Sequence, residues 1–330
     1  MPVGPFPLHC AIAAIHSVPQ GIERLPVRPS RRFCFYRPIL RESVEQPARN
    51  GGQQREWSVT LHWNYEELPW DQLDHSKVDP DLVPLIKAAA LVEFNADDYT
   101  AYLCNVFHDD PEFQEVARGW AVEEVQHGRA LGKWAELVDP DFNFDRAVER
   151  FRAGYRVPID LSASVRGSRT GEMIARCMVE TGTSSYYAAI GDSTDEPVLK
   201  LICKNIAADE LRHFKIFYTY TKKYLELEQL NKFQRLKVAL SRIGESEDDE
   251  LAYAYFAANA AEGESYVHKT YNQAYMRRAY GRYRPKHVDR AVAMVFKACG
   301  LKPHTRFYNV AARGAWWLIE SRAKRLAKAA

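Results

Sequence analysis

One short pattern, acid-acid-x-x-His, occurs twice in this chain, as EEVQH at Glu123–His127 and as DELRH at Asp209–His213. Each copy lies inside a long run whose apolar residues recur at three- and four-residue spacing, the mark of a helix. Residues three apart share a helix face. Glu124 with His127, and Glu210 with His213, therefore aim a carboxylate and an imidazole at a common object. A lone glutamate in apolar surroundings precedes each copy by about one long helix: Glu93 in AALVEFNA and Glu180 in ARCMVETGTS. The histidines are offset by 86 positions and the lone glutamates by 87, so the chain reads as a duplicated two-helix unit.

The surrounding sequence supplies the helices. DPDLVPLIKAAALVEFNADDYTAYLCNVFH predicts one helix of about 25 residues. A second runs from Pro111, a favoured first-turn residue, to the residues before Pro140. A short helix near Phe144–Ala153 and a loop containing Gly154, Pro158 and Gly167 follow. Ser168 is placed to cap a third long helix through Ile190, and Pro197 opens a fourth. No strand-like alternation competes. FQRLKVALSRI, ELAYAYFAANAAEGESYVHKTYNQAYMRRAYGRYR and RGAWWLIESRAKRLAKAA are helix-compatible and are assigned to packing around the bundle or to a dimer face. The fold class expected is all-α: a four-helix bundle over about residues 82–228, with additional C-terminal helices, inside a domain spanning 56–330.

Four carboxylates and two imidazoles converging in a bundle core are untenable as unpaired charge. A cation must lie among them, and this donor set suits iron or manganese. One Glu from each of two helices plus Glu-x-x-His from the other two is the ligand arrangement of ferritin-like dinuclear proteins. The candidate metal ligands are thus Glu93, Glu124, His127, Glu180, Glu210 and His213. Glu123 and Asp209 are expected to accept a hydrogen bond from the histidine of the opposite half and fix its tautomer. Thr183, on the Glu180 face, can supply a hydrogen bond or proton where oxygen reacts, or bond back to a helix carbonyl. EGESYVH, with Glu262, Glu264 and His268, has metal-like composition but no counterpart in the other half, and reads as solvated charge.

Composition narrows the rest. A 46% hydrophobic content can fill a core, and 45 basic against 43 acidic residues leave a net charge of +2, which argues for no nucleic-acid partner. The six cysteines form no Cys-x-x-Cys pair and suit a reducing cytoplasm. No apolar run approaches the roughly 20 residues of a membrane span. The first 55 residues hold 8 of the 17 prolines and eight arginines but no lysine or aspartate, and are expected to be a disordered N-terminal extension.

WAVEEVQHGRALGKW and ICKNIAADELRHFKIFYTYTKKYLELE resemble the two metal-ligand helices of the soluble acyl-carrier-protein desaturases, and the Ile-Ala-Ala-Asp-Glu-x-Arg-His run is far more specific than the bare motif. The resemblance covers roughly Leu82–Glu228. It implies an eleven-helix, dimeric, ferritin-like protein with a di-iron centre, dioxygen as co-substrate and electrons from ferredoxin. The implied reaction places a double bond in a fatty acyl chain held on acyl carrier protein. Residue by residue, Glu93, Glu124, His127, Glu180, Glu210 and His213 match the iron ligands, Asp209 the acid behind a histidine, and Thr183 the hydroxyl after the third-helix glutamate.

The chain departs from that pattern in ETGTSSYYAAIGDST, where Tyr186 and Tyr187 bring large rings toward the bundle interior. Another acyl length, another regiochemistry or oxygenation of a different molecule stay open, as does a ferritin- or rubrerythrin-like ferroxidase or peroxidase. The basic clusters Arg277, Arg278, Arg282, Arg284, Lys286 and Arg322, Lys324, Arg325, Lys328 offer a surface for an acidic carrier protein or are ordinary solvated faces.

Overall fold

A computed structural model of the chain describes residues 61–245 and 249–328. The expectation for residues 1–55 lies outside them. Three short 3-10 turns, Tyr65–Glu67, Trp70–Gln72 and His75–Lys77, lead into eleven α-helices, and the described residues contain no strand. The helices are α1 (Val83–Phe94), α2 (Ala96–Val106), α3 (Pro111–Val138), α4 (Phe144–Gly154), α5 (Arg169–Ser193) and α6 (Pro197–Glu228), then α7 (Lys232–Gly244), α8 (Asp249–Asn259), α9 (His268–Tyr280), α10 (Pro285–Ala298) and α11 (Arg306–Lys328). None is long and apolar enough to cross a membrane.

The starts of the three longest helices are fixed by local chemistry. Asp110 accepts the Phe113 N–H ahead of Pro111, and Ser168 accepts the Gly171 N–H. Glu196 accepts from both Val198 and Leu199. Each satisfies amides that a helix start leaves without partners. Glu196 does more than cap: fully buried, it also accepts from the Trp134 indole at 2.8 Å and the Asp74 amide at 3.2 Å, tying α6 to α3 and to the N-terminal turns.

The bundle consists of α1 and α2 end to end, α3, α5 and α6, with α5 packed along α6 and α1 along α3. On the outside, α8 lies on α1 and α4, α10 and α7 on α5, and α9 and α11 near one another. The all-α architecture is compatible with a ferritin-like bundle. The apolar interior divides into two clusters. One contains Leu91, Leu131, Trp134, Tyr187, Ile190 and Ile206, the other Leu103, Phe113, Trp120, Ile174, Cys177 and Phe217. Helices α3, α5 and α6 contribute to both, α1 to the first and α2 to the second, and the candidate ligands occupy the layer between.

One expectation needs correction. The single helix over Asp79–His108 is two, because α1 stops at Phe94 and Asn95 takes a non-helical conformation (φ −87°, ψ 14°) before α2 begins. Asparagine is a weak helix-interior residue because its side chain competes with the backbone for hydrogen bonds, and this one sits immediately after Glu93. The helix-compatible run from ELAYAYF to GRYR forms two helices, α8 and α9, separated by a loop in which Gly263 adopts φ +81°, open to glycine and strained for other residues.

Gly128 shows how closely the bundle is drawn together beside the candidate ligands. A Cβ there would lie 2.7 Å from Phe94 Cβ and from the Phe94 backbone nitrogen, so α1 and α3 touch where one has no side chain. Alanine is the better helix former by about 1 kcal/mol, yet at this position it forces backbone apart. We predict that Gly128→Ala lowers stability by about 1–3 kcal/mol. Thermal and denaturant unfolding test this, and a stabilised variant would show that α1 can yield.

Candidate metal centre

Glu93 comes from the last turn of α1, Glu124 and His127 from the middle of α3, Glu180 from the middle of α5, and Glu210 and His213 from the middle of α6. All six are buried, none more than 6% exposed. Their ligand atoms form two groups in which every atom lies within 4.8 Å of the others: Glu93, Glu124, His127 and Glu210 in one, Glu124, Glu180, Glu210 and His213 in the other. Glu124 and Glu210 belong to both. The imidazoles lie side by side, ring centroids 5.9 Å apart.

Both imidazoles present Nδ1 to the interior. His127 Nδ1 is 3.4 Å from Glu210, 3.5 Å from Glu124 and 3.7 Å from Glu93. His213 Nδ1 is 2.9 Å from Glu124 and 3.6 Å from Glu180. The opposite nitrogens are held from behind. His127 Nε2 faces Asp209 Oδ2 at 2.9 Å, and His213 Nε2 faces Glu123 Oε2 at 2.8 Å. A carboxylate only accepts, so each Nε2 carries the proton and each Nδ1 can turn a lone pair inward. The pairing is crossed, since the acid on α6 holds the histidine on α3 and the reverse.

Two residues that sequence reasoning passed over complete this outer ring. Trp63, in the segment before the 3-10 turns, donates its indole N–H to Asp209 Oδ2 at 2.7 Å and stacks on His127 with centroids 5.9 Å apart. Arg212 pairs with Asp209 and reaches Glu123 at 3.9 Å, placing one positive charge against both outer acids. Arg212 stands inside the quoted DELRH and follows from its spacing to Asp209. Trp63 contacts a residue 146 positions away, and no local pattern announces that. Outside it lies a surface cavity of about 600 Å³ bordered by Trp63, Gln126 and Arg129.

The hydroxyl of Thr183 lies 2.7 Å from Glu210 Oε2 and donates to that shared carboxylate, with the Val179 and Glu180 carbonyls farther off at 3.2 and 3.3 Å. Tyr187 donates to Glu93 Oε1 at 2.6 Å. Glu262, Glu264 and His268 are exposed and join neither group.

The electrostatics call for positive charge. Burial, reinforced by neighbouring carboxylates, pushes Glu93 and Glu180 well above the usual carboxylate range. Burial also opposes ionisation of Glu124 and Glu210, but hydrogen bonding from Glu93 and the two histidines for Glu124, and from the two histidines for Glu210, outweighs it and holds both lower than usual. Burial disfavours charge on His127 and His213 as well, yet the carboxylates around each ring raise them well above an ordinary histidine. The interior atoms also lack partners. Both oxygens of Glu180, Oε1 of Glu210 and Nδ1 of both histidines make no hydrogen bond. Buried polar atoms without partners are rare because each costs free energy. Here they converge from oxygen and imidazole donors, a set that fits divalent iron or manganese.

A buried carboxylate with two unsatisfied oxygens is a liability in protein stripped of metal, and an apolar residue of similar size relieves it. We predict that Glu180→Leu stabilises chelator-treated protein by about 1–3 kcal/mol. Denaturant titration of both proteins under chelator is the check, and a destabilised variant would mean that Glu180 is satisfied by the fold itself.

A family model described as fatty acid desaturase matches residues 97–284. The match contains Glu124, His127, Glu180, Glu210 and His213, and begins just after Glu93, which the structure brings to the same site. No curated protein matches the chain. With more than half its length matched and the buried acid and histidine layer inside the match, the chain belongs to the fatty acid desaturase family.

Proposed function

We propose that the protein is a di-iron, dioxygen-dependent oxidoreductase that introduces a double bond into a fatty acyl chain carried on acyl carrier protein. The observation that carries this reading is the pair of overlapping donor groups sharing Glu124 and Glu210. In it, Glu93 and His127 serve one ion, Glu180 and His213 the other, and Glu124 and Glu210 lie between. Bound iron would supply the dioxygen reduction and the removal of hydrogen from unactivated carbon that no side chain can perform.

The chain's own residues do the rest. Asp209 and Glu123 hold the two imidazoles in one tautomer and orientation. Thr183 keeps a hydroxyl proton on Glu210, beside the exposed Gly182, where a Cβ would meet nothing within 4 Å. The apolar layers on both sides exclude water. Electrons from a ferredoxin-type donor have a hydrogen-bonded route inward from half-buried Trp63 through Asp209 to His127. An acidic carrier finds its counter-charge at Arg322, Lys324, Arg325 and Lys328 of α11. Both basic clusters also hold internal pairs, Arg278 with Asp81, Arg282 with Asp79 and Lys286 with Asp192 in one, and Lys324 with Glu320 on α11. A homodimer is proposed from the resemblance and from the exposed Phe307, Val310, Trp317 and Leu318 of α11. A cytoplasmic site fits the free Cys104, Cys177, Cys203 and Cys299.

Iron-replete protein is expected to carry two iron ions per chain, one for each donor group, and His127→Ala or His213→Ala to lower that content. Asp209→Asn should keep much of the iron and lose affinity or turnover by roughly 10- to 100-fold. Iron-free wild-type protein would sink the metal reading, and an unchanged Asp209→Asn would make that acid a bystander.

The reaction itself is tested by giving reduced protein ferredoxin, its reductase, oxygen and saturated acyl groups of several lengths on acyl carrier protein. Mass spectrometry of the released chains should find the loss of two hydrogens, and Glu210→Ala should abolish it. A gain of one oxygen would make the protein a hydroxylase. No modified chain from a loaded, oxygen-consuming protein would remove the acyl carrier substrate and leave the metal assignment.

A further inference from the structure

Helix α7 is written the wrong way round for a helix that only covers the bundle. It packs on α5, yet Ala239 is its one buried residue. Its large apolar side chains face solvent instead: Phe233 is 85% exposed, Leu240 57% and Ile243 42%. Positions 233, 236, 240 and 243 follow the three- and four-residue spacing of one helix face, and Leu236 lies half-buried among the exposed three. Lys232 and Lys237 border that stripe on its two sides, both exposed and without an ion pair among the described residues. The helix carries four basic residues, Lys232, Arg235, Lys237 and Arg242, and no acid. On its inner side the Arg235 guanidinium lies against Gly300 at the end of α10, where a Cβ would meet it at 2.6 Å. The acids at the two ends of α7 are engaged by the fold. Glu228 accepts the Arg169 and Thr170 amides at 3.0 and 2.7 Å, and Glu245 pairs with Arg166 at 2.6 Å.

We propose that α7 is a membrane-contact helix, lying along an anionic lipid surface with Phe233, Leu240 and Ile243 among the acyl chains and Lys232 and Lys237 at the phosphates. An apolar stripe with lysines along its edges is the pattern of a helix that lies in a membrane interface, where lysine stems reach up from apolar surroundings to charged headgroups. Its 13 residues make about 20 Å of helix, too short to cross the roughly 30 Å of hydrocarbon, so the contact is made from one side. Charge separates a lipid surface from a second copy of the chain. A two-fold pairing sets the same patch against itself, which would bring the lysine borders together with no acid on the helix to answer them. Area argues against a rigid protein partner on this helix alone, because a face about 20 Å long and 10 Å wide falls far below the roughly 800 Å² per partner of a stable complex. A lipid surface demands no matching shape and reaches every exposed side chain of the stripe. The inference stands apart from the metal centre and from the acyl substrate.

The test uses the purified full chain and vesicles of two compositions, phosphatidylcholine alone and phosphatidylcholine mixed with anionic phosphatidylglycerol, separated from free protein by flotation. Binding is expected on the mixed vesicles, far weaker on phosphatidylcholine alone, and falling as salt is raised. Phe233→Ser and Leu240→Ser change solvent-facing positions, and each should lower the partition onto mixed vesicles about tenfold with thermal unfolding unchanged. Lys232→Gln and Lys237→Gln should each lower it about fivefold and flatten the salt dependence. Trp317→Ser, at an exposed position of α11, serves as the comparison and should bind as wild type does. No binding to mixed vesicles overturns the proposal. So does binding that survives both Phe233→Ser and Leu240→Ser, which would put the lipid contact elsewhere on the chain. Sedimentation of the same proteins reads the competing occupant: a wild-type dimer that Phe233→Ser splits would make α7 an interface between copies and overturn the lipid contact.

Discussion

Six ionisable side chains sit in one layer of a helical core, with an apolar layer above and another below. Ionised carboxylates cannot be left there alone, because burial removes the water that makes them tolerable. Much of the rest of the structure follows from handling that charge. The carboxylates share it unevenly, with burial raising Glu93 and Glu180 above the usual carboxylate range while Glu93 and the imidazoles hold Glu124, and the imidazoles hold Glu210, below it. The imidazoles in turn are backed by a second set of acids, and those acids by Arg212 and the Trp63 indole. Polarity falls off outward in steps, from the metal-ready interior to a half-buried arginine and a surface cavity.

The duplicated helix pair explains why the layer closes on itself. Each half brings one lone glutamate and one Glu-x-x-His, and each also brings the acid just ahead of that pair. Because Asp209 on α6 holds His127 on α3, while Glu123 on α3 holds His213 on α6, neither half can orient its own histidine. The two Glu-x-x-His helices are tied across the centre by the same contacts that prepare the imidazoles, so the alignment of α3 with α6 and the readiness of the site for metal are one property.

This layer was unusually legible in the sequence because it is written in helical period. Glu124, His127, Glu210 and His213 declare a shared face by spacing alone, and Glu93 and Glu180 stand out as lone acids in apolar runs. The long helices were legible for the same reason, with Pro111, Ser168 and Pro197 marking their starts. What was lost is what periodicity cannot carry. The break at Asn95 lies in a sequence whose apolar spacing continues across it. The loop around Gly263 interrupts a run whose composition stays helix-compatible. α10 was passed over although Pro285 marks its first turn. Trp63 reaches Asp209 only through the tertiary fold, from a segment with no repeat of its own.

The close approach at Gly128 shows how tightly metal geometry and chain packing are bound together. Glu93 ends α1, Asn95 breaks the helix, and Phe94 between them lies against the bare face of Gly128, the residue after His127. Moving α1 outward would carry Glu93 away from His127 and from the shared carboxylates. Moving it inward is blocked by contact between backbones. The position of Glu93 is therefore limited by steric contact between α1 and α3. A centre assembled in this way is held to size before any ion arrives, and the Tyr187 hydrogen bond on Glu93 acts on a carboxylate whose place is already decided by the missing side chain across from it.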